Sequence, residues 1–201
     1  MQNHPSSQHK KFAQLLRQNN AVRFGNFTTK SGRPSRYFLN LGSLFSSDSL
    51  YQLSYLYAEK INETWGAHSG ITNIFGPSYK GIPLAVMVSH ILSNEFGFQD
   101  MSFSFNRKEK KDHGEQGLIV GNQYQQKQQV IIVEDVLTAG TSLKESLSLL
   151  QTKNIKPKGV VVGIDRQEKG TKDLLAKKEI EEDYKLKIIS LLDVSTLFKI
   201  I

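Results

Sequence analysis

One stretch of the sequence combines acids, hydroxyls and glycine in an order that could bind a sugar phosphate. Four apolar residues, Val130 to Val133, predict a buried strand, which two adjacent carboxylates, Glu134 and Asp135, follow directly. A loop of small and hydroxyl side chains, residues 138–141, then opens a predicted helix. Backbone N–H groups at a helix start are unpaired and carry partial positive charge, so such a loop can bind a phosphate. The acids could accept hydrogen bonds from sugar hydroxyls or hold a metal.

Each of these residues, taken singly, also has a purely structural explanation. The acids could simply end the strand, and Thr138 or Thr141 could cap the helix. The sequence contains neither G-x-x-x-x-G-K-[ST] nor G-x-G-x-x-G, which are the phosphate motifs of NTPases and of dinucleotide-binding proteins. Those two classes therefore lose their main support, while the string as a whole is hard to explain by capping alone.

The elements that must position this string alternate between strands and helices. Strands separated by helices predict βαβ units, a mainly parallel sheet flanked by helices, and ligands beyond the carboxyl ends of its strands. Residues 122–129 are interpreted as a hairpin connection, and residues 106–116, which contain no apolar anchor, are expected to be mobile. The predicted strands are 23–28, 36–40, 71–75, 101–105, 117–121, 130–133, 160–164 and 186–192, and the predicted helices are 8–19, 48–66, 82–96, 141–152 and 172–183.

Composition narrows the function classes further. The 201 residues fit one ordinary domain, and the absence of cysteine excludes disulfides, thiolate zinc sites and a cysteine nucleophile. The polar start of the chain does not look like a signal peptide, and no apolar run is long enough to span a bilayer, so we expect a cytoplasmic protein. The net charge of +7 is compatible with nucleic acid, an anionic small substrate or a lysine-rich surface; scattered lysines favour the last.

The string from Val130 to Ser142 resembles the motif with which type I phosphoribosyltransferases bind phosphoribosyl diphosphate (PRPP). Four further stretches are similar to signature segments of orotate phosphoribosyltransferase, and they occur in that family's order. The resemblance runs from about Phe24 to Gly170. These four stretches are residues 30–40, 75–83, 106–115 and 165–170.

The resemblance implies a type I phosphoribosyltransferase-like α/β fold in a single domain, 1–201. A small N-terminal hood at about 1–45 would bind the base, and a mobile catalytic loop would occupy 104–117. The implied reaction transfers 5-phosphoribosyl from PRPP to orotate, giving orotidine 5′-monophosphate and diphosphate in de novo pyrimidine (UMP) biosynthesis. It also implies Mg²⁺ carried on PRPP near Glu134 and Asp135 without direct protein ligation. The protein would be a homodimer that shares the loop between subunits, with no nucleic-acid or membrane partner.

The resemblance also assigns roles to individual residues. The loop cations could neutralise a departing diphosphate and exclude water, an aromatic plane could stack on a pyrimidine, and a guanidinium fork suits a carboxylate. Each of these groups also has a purely structural explanation. The loop cations could be a solvated run of charges, the aromatic residues could belong to the core, and the arginine could simply be exposed at the end of a strand. The catalytic candidates are Lys111, His113, Arg107 and Asp135; those for PRPP are Tyr79, Lys80, Arg107, Lys108, Lys111, Glu134, Asp135, Thr138, Ala139, Gly140 and Thr141; those for orotate are Lys30, Tyr37, Phe38, Thr138 and Arg166.

Two residues depart from the family's pattern. Glu134 stands where the orotate family commonly has Asp, and Arg36 replaces the Pro often found between Ser and Tyr. Two alternative functions remain open on the sequence: a phosphoribosyltransferase acting on a purine or another pyrimidine, and a PRPP-sensing regulator that binds nucleic acid.

Overall fold

The computed structural model describes residues 5–28, 34–109, 117–122, 124 and 128–201. Within these ranges the chain forms eight strands and six α-helices. The strands are β1 (Val22–Thr28), β2 (Pro34–Leu39), β3 (Ile71–Gly76), β4 (Ser102–Asn106), β5 (Ile119–Gly121), β6 (Gln129–Leu137), β7 (Gly159–Asp165) and β8 (Lys187–Asp193). The helices are α1 (Ser7–Gln18), α2 (Ser47–Trp65), α3 (Gly81–Phe96), α4 (Thr141–Gln151), α5 (Ala176–Tyr184) and α6 (Val194–Ile200).

A six-stranded sheet in the order β5-β4-β3-β6-β7-β8 forms the body. Every neighbouring pair is parallel except β4 with β5. Successive residues of β6 face opposite sides of the sheet: Ile131 and Val133 join a core with α1, α2 and α3, whereas Val130 and Ile132 join one with α4 and α5. The predicted mainly parallel sheet flanked by helices is thus confirmed.

The N-terminal part of the chain forms a separate two-stranded sheet. Strands β1 and β2 pair antiparallel, with Val22 opposite Leu39 and a register shift between Phe24 and Phe27. Leu39 is buried in the main core, and Val22 and Tyr37 pack against that core from outside. The alternation of side chains in β2 therefore presents one face of this small sheet to the body.

The predicted hairpin at residues 122–129 is wrong. Strand β5 pairs with β4 at the sheet edge, while β6 lies in the centre between β3 and β7. The physical reason is burial, because β6 is apolar on both faces and needs neighbours and helices on both sides, whereas the short β5 does not. The hairpin is instead formed by β4 and β5, with the charged segment between them.

Other differences concern where elements begin and end. Strand β6 continues through both acids to Leu137 instead of ending at Val133. Helix α5 begins at Ala176 and not at Lys172, because a short turn closes before it with Gly170 N–H donating to Leu174 O at 2.8 Å. Helix α2 begins at Ser47, one residue before the predicted start, with Ser46 as its N-cap.

Helix α6 was not predicted, and it begins at an Asp193 cap whose Oδ1 accepts Thr196 N–H at 2.7 Å. None of the helices described is long and apolar enough to cross a membrane.

Candidate active site

Three neighbouring parallel strands bring the predicted site segments to one edge of the sheet. The loops that follow β3, β6 and β7 begin at Pro77, Thr138 and Arg166, respectively. Because β6 pairs in parallel with both β3 and β7, the carboxyl ends of all three strands point the same way. Arg166 N–H donates to Leu137 O at 3.0 Å, which continues the pairing to the start of the loops. The topology thus places three of the segments side by side.

The two acids of β6 have different surroundings, because adjacent residues of a strand face opposite sides. Glu134 is buried; its Oε2 accepts from Ser142 Oγ at 3.2 Å and its Oε1 from Asp135 N–H at 3.3 Å. Burial, reinforced by the neighbouring Asp135 charge, raises the pKa of Glu134 to about 8. The Asp135 side chain is 13% exposed and lies 3.1 Å from Lys80 Nζ. Asp135 is therefore the acid whose side chain can reach a ligand.

The loop between β6 and α4 leaves the helix start open to a ligand. Gly140 is the N-cap of α4 with φ of 84°, and it has no side chain with which to cap the helix. A Cβ there would lie 2.6 Å from Ile180 Cδ1, so the left-handed conformation and the close packing both favour glycine. Thr138 and Thr141 are exposed beside it, with Ala139 half-buried between them. These residues can offer N–H and hydroxyl donors to a phosphate.

The loop after β3 carries Tyr79 and Lys80. A Cβ on Gly76 would lie 2.0 Å from Gly81 O, so the two ends of this loop approach as closely as only glycine allows. The Ser78–Tyr79 peptide bond is cis, and the Tyr79 ring is 67% exposed. The ion pair of Lys80 with Asp135 joins this loop to β6.

The stem of the charged segment is attached to the same loop. Asn106 Oδ1 accepts Ser78 N–H at 2.9 Å, and Ser78 Oγ donates to Asn106 O. Arg107 N–H donates to Leu118 O at 2.7 Å, which closes the stem, and Lys108 Nζ lies 4.9 Å from the centre of the Tyr79 ring. The structure thus brings Lys108 to Tyr79 of the β3 loop, with Arg107 in the stem beside it.

Arg166 and Tyr37 meet on the side of the site that faces β2. The Arg166 guanidinium lies 4.7 Å from the centre of the Tyr37 ring, its Nη2 is 3.5 Å from Ser35 Oγ, and its Nε is 2.7 Å from Glu168 Oε1. Phe38 points to the other face of β2, where it packs on Phe27 with ring centres 5.6 Å apart. Tyr37, but not Phe38, is therefore brought to Arg166.

Three other predicted site residues, Lys30, Lys111 and His113, lie outside the residues that the structure describes.

Sequence reasoning missed two residues that support the acids. The buried Tyr57 hydroxyl donates to Glu134 O at 2.7 Å. Gly163 on β7 makes room for this contact, since a Cβ there would lie 2.6 Å from Tyr57 Oη and 2.7 Å from Asp135 O. In the sequence, Tyr57 is one apolar position of a helix and Gly163 one small residue of a strand, so neither carried a functional signal.

The donor set suits a metal that arrives with a substrate. Within the described ranges, no group of three or more histidines and acids could hold a metal ion. Mg²⁺ usually binds through one or two carboxylates together with substrate phosphates and water. The partly exposed Asp135 beside an uncapped helix start fits that arrangement.

Comparisons with known proteins agree with this geometry. Residues 43–191 match the family described as the phosphoribosyl transferase domain. The chain is 45% identical over 184 residues to an orotate phosphoribosyltransferase of Marinobacter nauticus, covering 90% of this chain and 82% of the relative. The crystal structure of the Francisella tularensis orotate phosphoribosyltransferase matches with a TM-score of 0.77 at 35% identity, covering 94% of this chain and 88% of that chain. A Mycobacterium tuberculosis orotate phosphoribosyltransferase in complex with PRPP shares the fold at 22% identity, with a TM-score of 0.69 and coverage of 95% of this chain and 99% of that one.

These matches confirm the predicted type I phosphoribosyltransferase fold and the predicted enzyme class. The chain belongs to the phosphoribosyl transferase domain family and, within it, to the orotate phosphoribosyltransferases.

Proposed function

We propose that the protein transfers the 5-phosphoribosyl group of PRPP to a ring nitrogen of orotate, giving orotidine 5′-monophosphate and diphosphate in pyrimidine biosynthesis. The contact of Lys80 Nζ with Asp135 Oδ2 at 3.1 Å supports this function most directly. It joins the loop expected at the diphosphate to the acid expected at the ribose, and in PRPP these two groups are adjacent. The family's activity is consistent with that pairing.

Different groups of described residues bind different parts of the two substrates. The N–H groups of residues 138–141 bind the 5′-phosphate, and Asp135 accepts hydrogen bonds from the ribose hydroxyls. Lys80 exchanges Asp135 for diphosphate oxygens when PRPP binds, because the Lys80 side chain is 45% exposed and free to turn. Arg166 receives the orotate carboxylate, and the Tyr37 ring lies beneath its guanidinium.

Catalysis needs no protein nucleophile. The transition state is oxocarbenium-like at the anomeric carbon, so the protein contributes positioning and stabilisation of the departing diphosphate. Mg²⁺, when bound with PRPP, supplies further positive charge to the diphosphate and ribose oxygens. Arg107, Lys108, Lys111 and His113 of the catalytic loop add cations and exclude water.

We place the enzyme in the cytoplasm as a homodimer in which each loop serves the neighbouring subunit, without a nucleic-acid or membrane partner. Lys111→Ala and Asp135→Asn subunits, each inactive alone, should regain activity on mixing, because one hybrid site then has an intact loop and an intact pocket. Recovery should be absent if each loop serves its own subunit, provided that subunit exchange is demonstrated.

The test of the function is the absorbance change of orotate on mixing with enzyme, PRPP and Mg²⁺, with omission of each component as control. Lys111→Ala should lower turnover on the order of 10²-fold, about 2.7 kcal/mol. Turnover within about twofold of wild type would remove this loop cation from the mechanism. A panel of purine and pyrimidine bases decides the acceptor, and tight polynucleotide binding with a steep salt dependence would favour a regulator instead.

A further inference from the structure

The C-terminal helix α6 touches the base-binding side of the site at two separate points. One contact is aromatic and lies near the end of the helix, and the other is a hydrogen bond at its first turn. Of the four residues in these contacts, only Tyr37 was predicted from the sequence to bind a ligand.

The aromatic contact fixes the ring that supports Arg166. The Phe198 ring meets the Tyr37 ring edge to face, with centres 4.8 Å apart and planes at 77°. Phe24 of β1, which is paired with Tyr37 across the small sheet, also contacts Phe198 with ring centres 5.9 Å apart, so Phe198 packs against both strands of this sheet. Because the Arg166 guanidinium stacks on the face of Tyr37 at 4.7 Å, a turn of the Tyr37 ring would displace the guanidinium too.

The second contact holds the loop that carries Arg166. Ser195 N–H donates to Gln167 Oε1 at 3.3 Å, and Gln167 N–H donates to Asp165 Oδ1 at 2.8 Å. Asp193, which is paired with Asp165 across β7 and β8, caps α6. The start of α6 and the residue after Arg166 are therefore fixed to the same strand ends.

We propose that α6 is a positioning element for the acceptor base, and that Phe198 is its principal positioning residue. Phe198 holds the Tyr37 ring in the orientation on which Arg166 stacks, and Ser195 N–H holds the side chain of Gln167, the residue after Arg166. This inference rests on the proposed function, in which Arg166 receives the orotate carboxylate. It predicts that changes in α6 affect orotate binding and leave PRPP binding intact, because the proposed PRPP residues lie on β6, in the segments that follow β3, β4 and β6, and at the start of α4.

The experiment measures KM for each substrate in Phe198→Ala. We expect KM for orotate to rise about tenfold, because the variant loses one edge-to-face contact and the ring orientation that this contact imposes. KM for PRPP should stay within about twofold of wild type. Phe198→Tyr keeps the ring and should restore the wild-type KM for orotate. Lys199→Ala, an exposed neighbour on α6, is the matched control.

If Phe198→Ala does not fold, Phe198→Leu keeps apolar volume without the ring and should still raise KM for orotate several-fold. Equal changes in both KM values, or a folded variant with both values unchanged, would overturn the proposal. A purely structural role would lower the melting temperature and leave the two KM values in the wild-type ratio. If wild type fails to use orotate at all, the proposed function fails instead, so the two failures are distinguishable.

Discussion

Replacing Glu134 by glutamine should stabilise the protein, and more so as the pH rises. The carboxyl is buried, and burial first and the Asp135 charge second raise its pKa to about 8 from an ordinary value of 4.5. Between those two values the folded state keeps a proton that the unfolded chain has lost, so the free energy of unfolding falls as the pH rises through this window. A glutamine side chain does not titrate in this pH range, so the variant does not lose stability in this way.

The size of the effect follows from the pKa of Glu134. At about 1.4 kcal/mol per pH unit, wild type loses about 3 kcal/mol of stability between pH 4.5 and pH 7, and about 4 kcal/mol by pH 8, where the folded carboxyl is half ionised. Glutamine also keeps the local contacts, because its amide can donate to Ser142 Oγ and its carbonyl can accept Asp135 N–H. The gain of Glu134→Gln over wild type should therefore be small at pH 5 and a few kcal/mol at pH 8.

Urea denaturation of both proteins at several values between pH 5 and pH 8 measures this difference. Glu145→Gln is the matched control, since it makes the same replacement at an exposed position of α4. The reasoning is refuted if the stability difference between Glu134→Gln and wild type is the same at pH 5 and at pH 8.

Three further substitutions test two residues that pack beneath the site and one that is proposed to bind PRPP. Gly163→Ala should destabilise the protein by about 1–3 kcal/mol in urea denaturation, because its Cβ would lie 2.6 Å from Tyr57 Oη; stability equal to wild type would contradict that packing. Tyr57→Phe should cost about 1–3 kcal/mol in the same assay, because it removes the 2.7 Å hydrogen bond to Glu134 O. Lys80→Ala should raise KM for PRPP by about tenfold or more while KM for orotate changes little, as initial rates with each substrate varied would show; an unchanged KM for PRPP would remove Lys80 from the diphosphate site.

The order of elements could be predicted because the apolar runs are short and well separated. Val130 to Val133 are buried with no exposed surface, as their β-branched character indicated. The end of β6 could not be predicted in the same way, since two adjacent carboxylates normally end a buried strand. Here Ser142 at the start of α4 and Tyr57, which is remote in sequence, provide hydrogen-bond partners for Glu134 that allow the strand to continue.

The candidate site was predictable where its residues are adjacent in sequence and unpredictable where they meet only through the fold. The loop at residues 138–141 follows from its composition, and the structure adds only the left-handed Gly140. The stacking of Arg166 on Tyr37 joins two parts of the chain far apart in sequence, and no local pattern indicates it. Helix α6 has seven residues, too few for a helical period to stand out, and Phe198 acquires its place only through the small sheet that it covers.

The closed stem between β4 and β5 has a consequence for how this protein can vary. Arg107 N and Leu118 O are only 2.7 Å apart, so the two ends of the ten-residue segment between them lie side by side. A replacement segment of different length or charge can be grafted there without altering the register of any other strand. The hydrogen-bonded pairing of β4 with β5 is therefore separate from the length of this segment, although the segment carries the proposed catalytic cations.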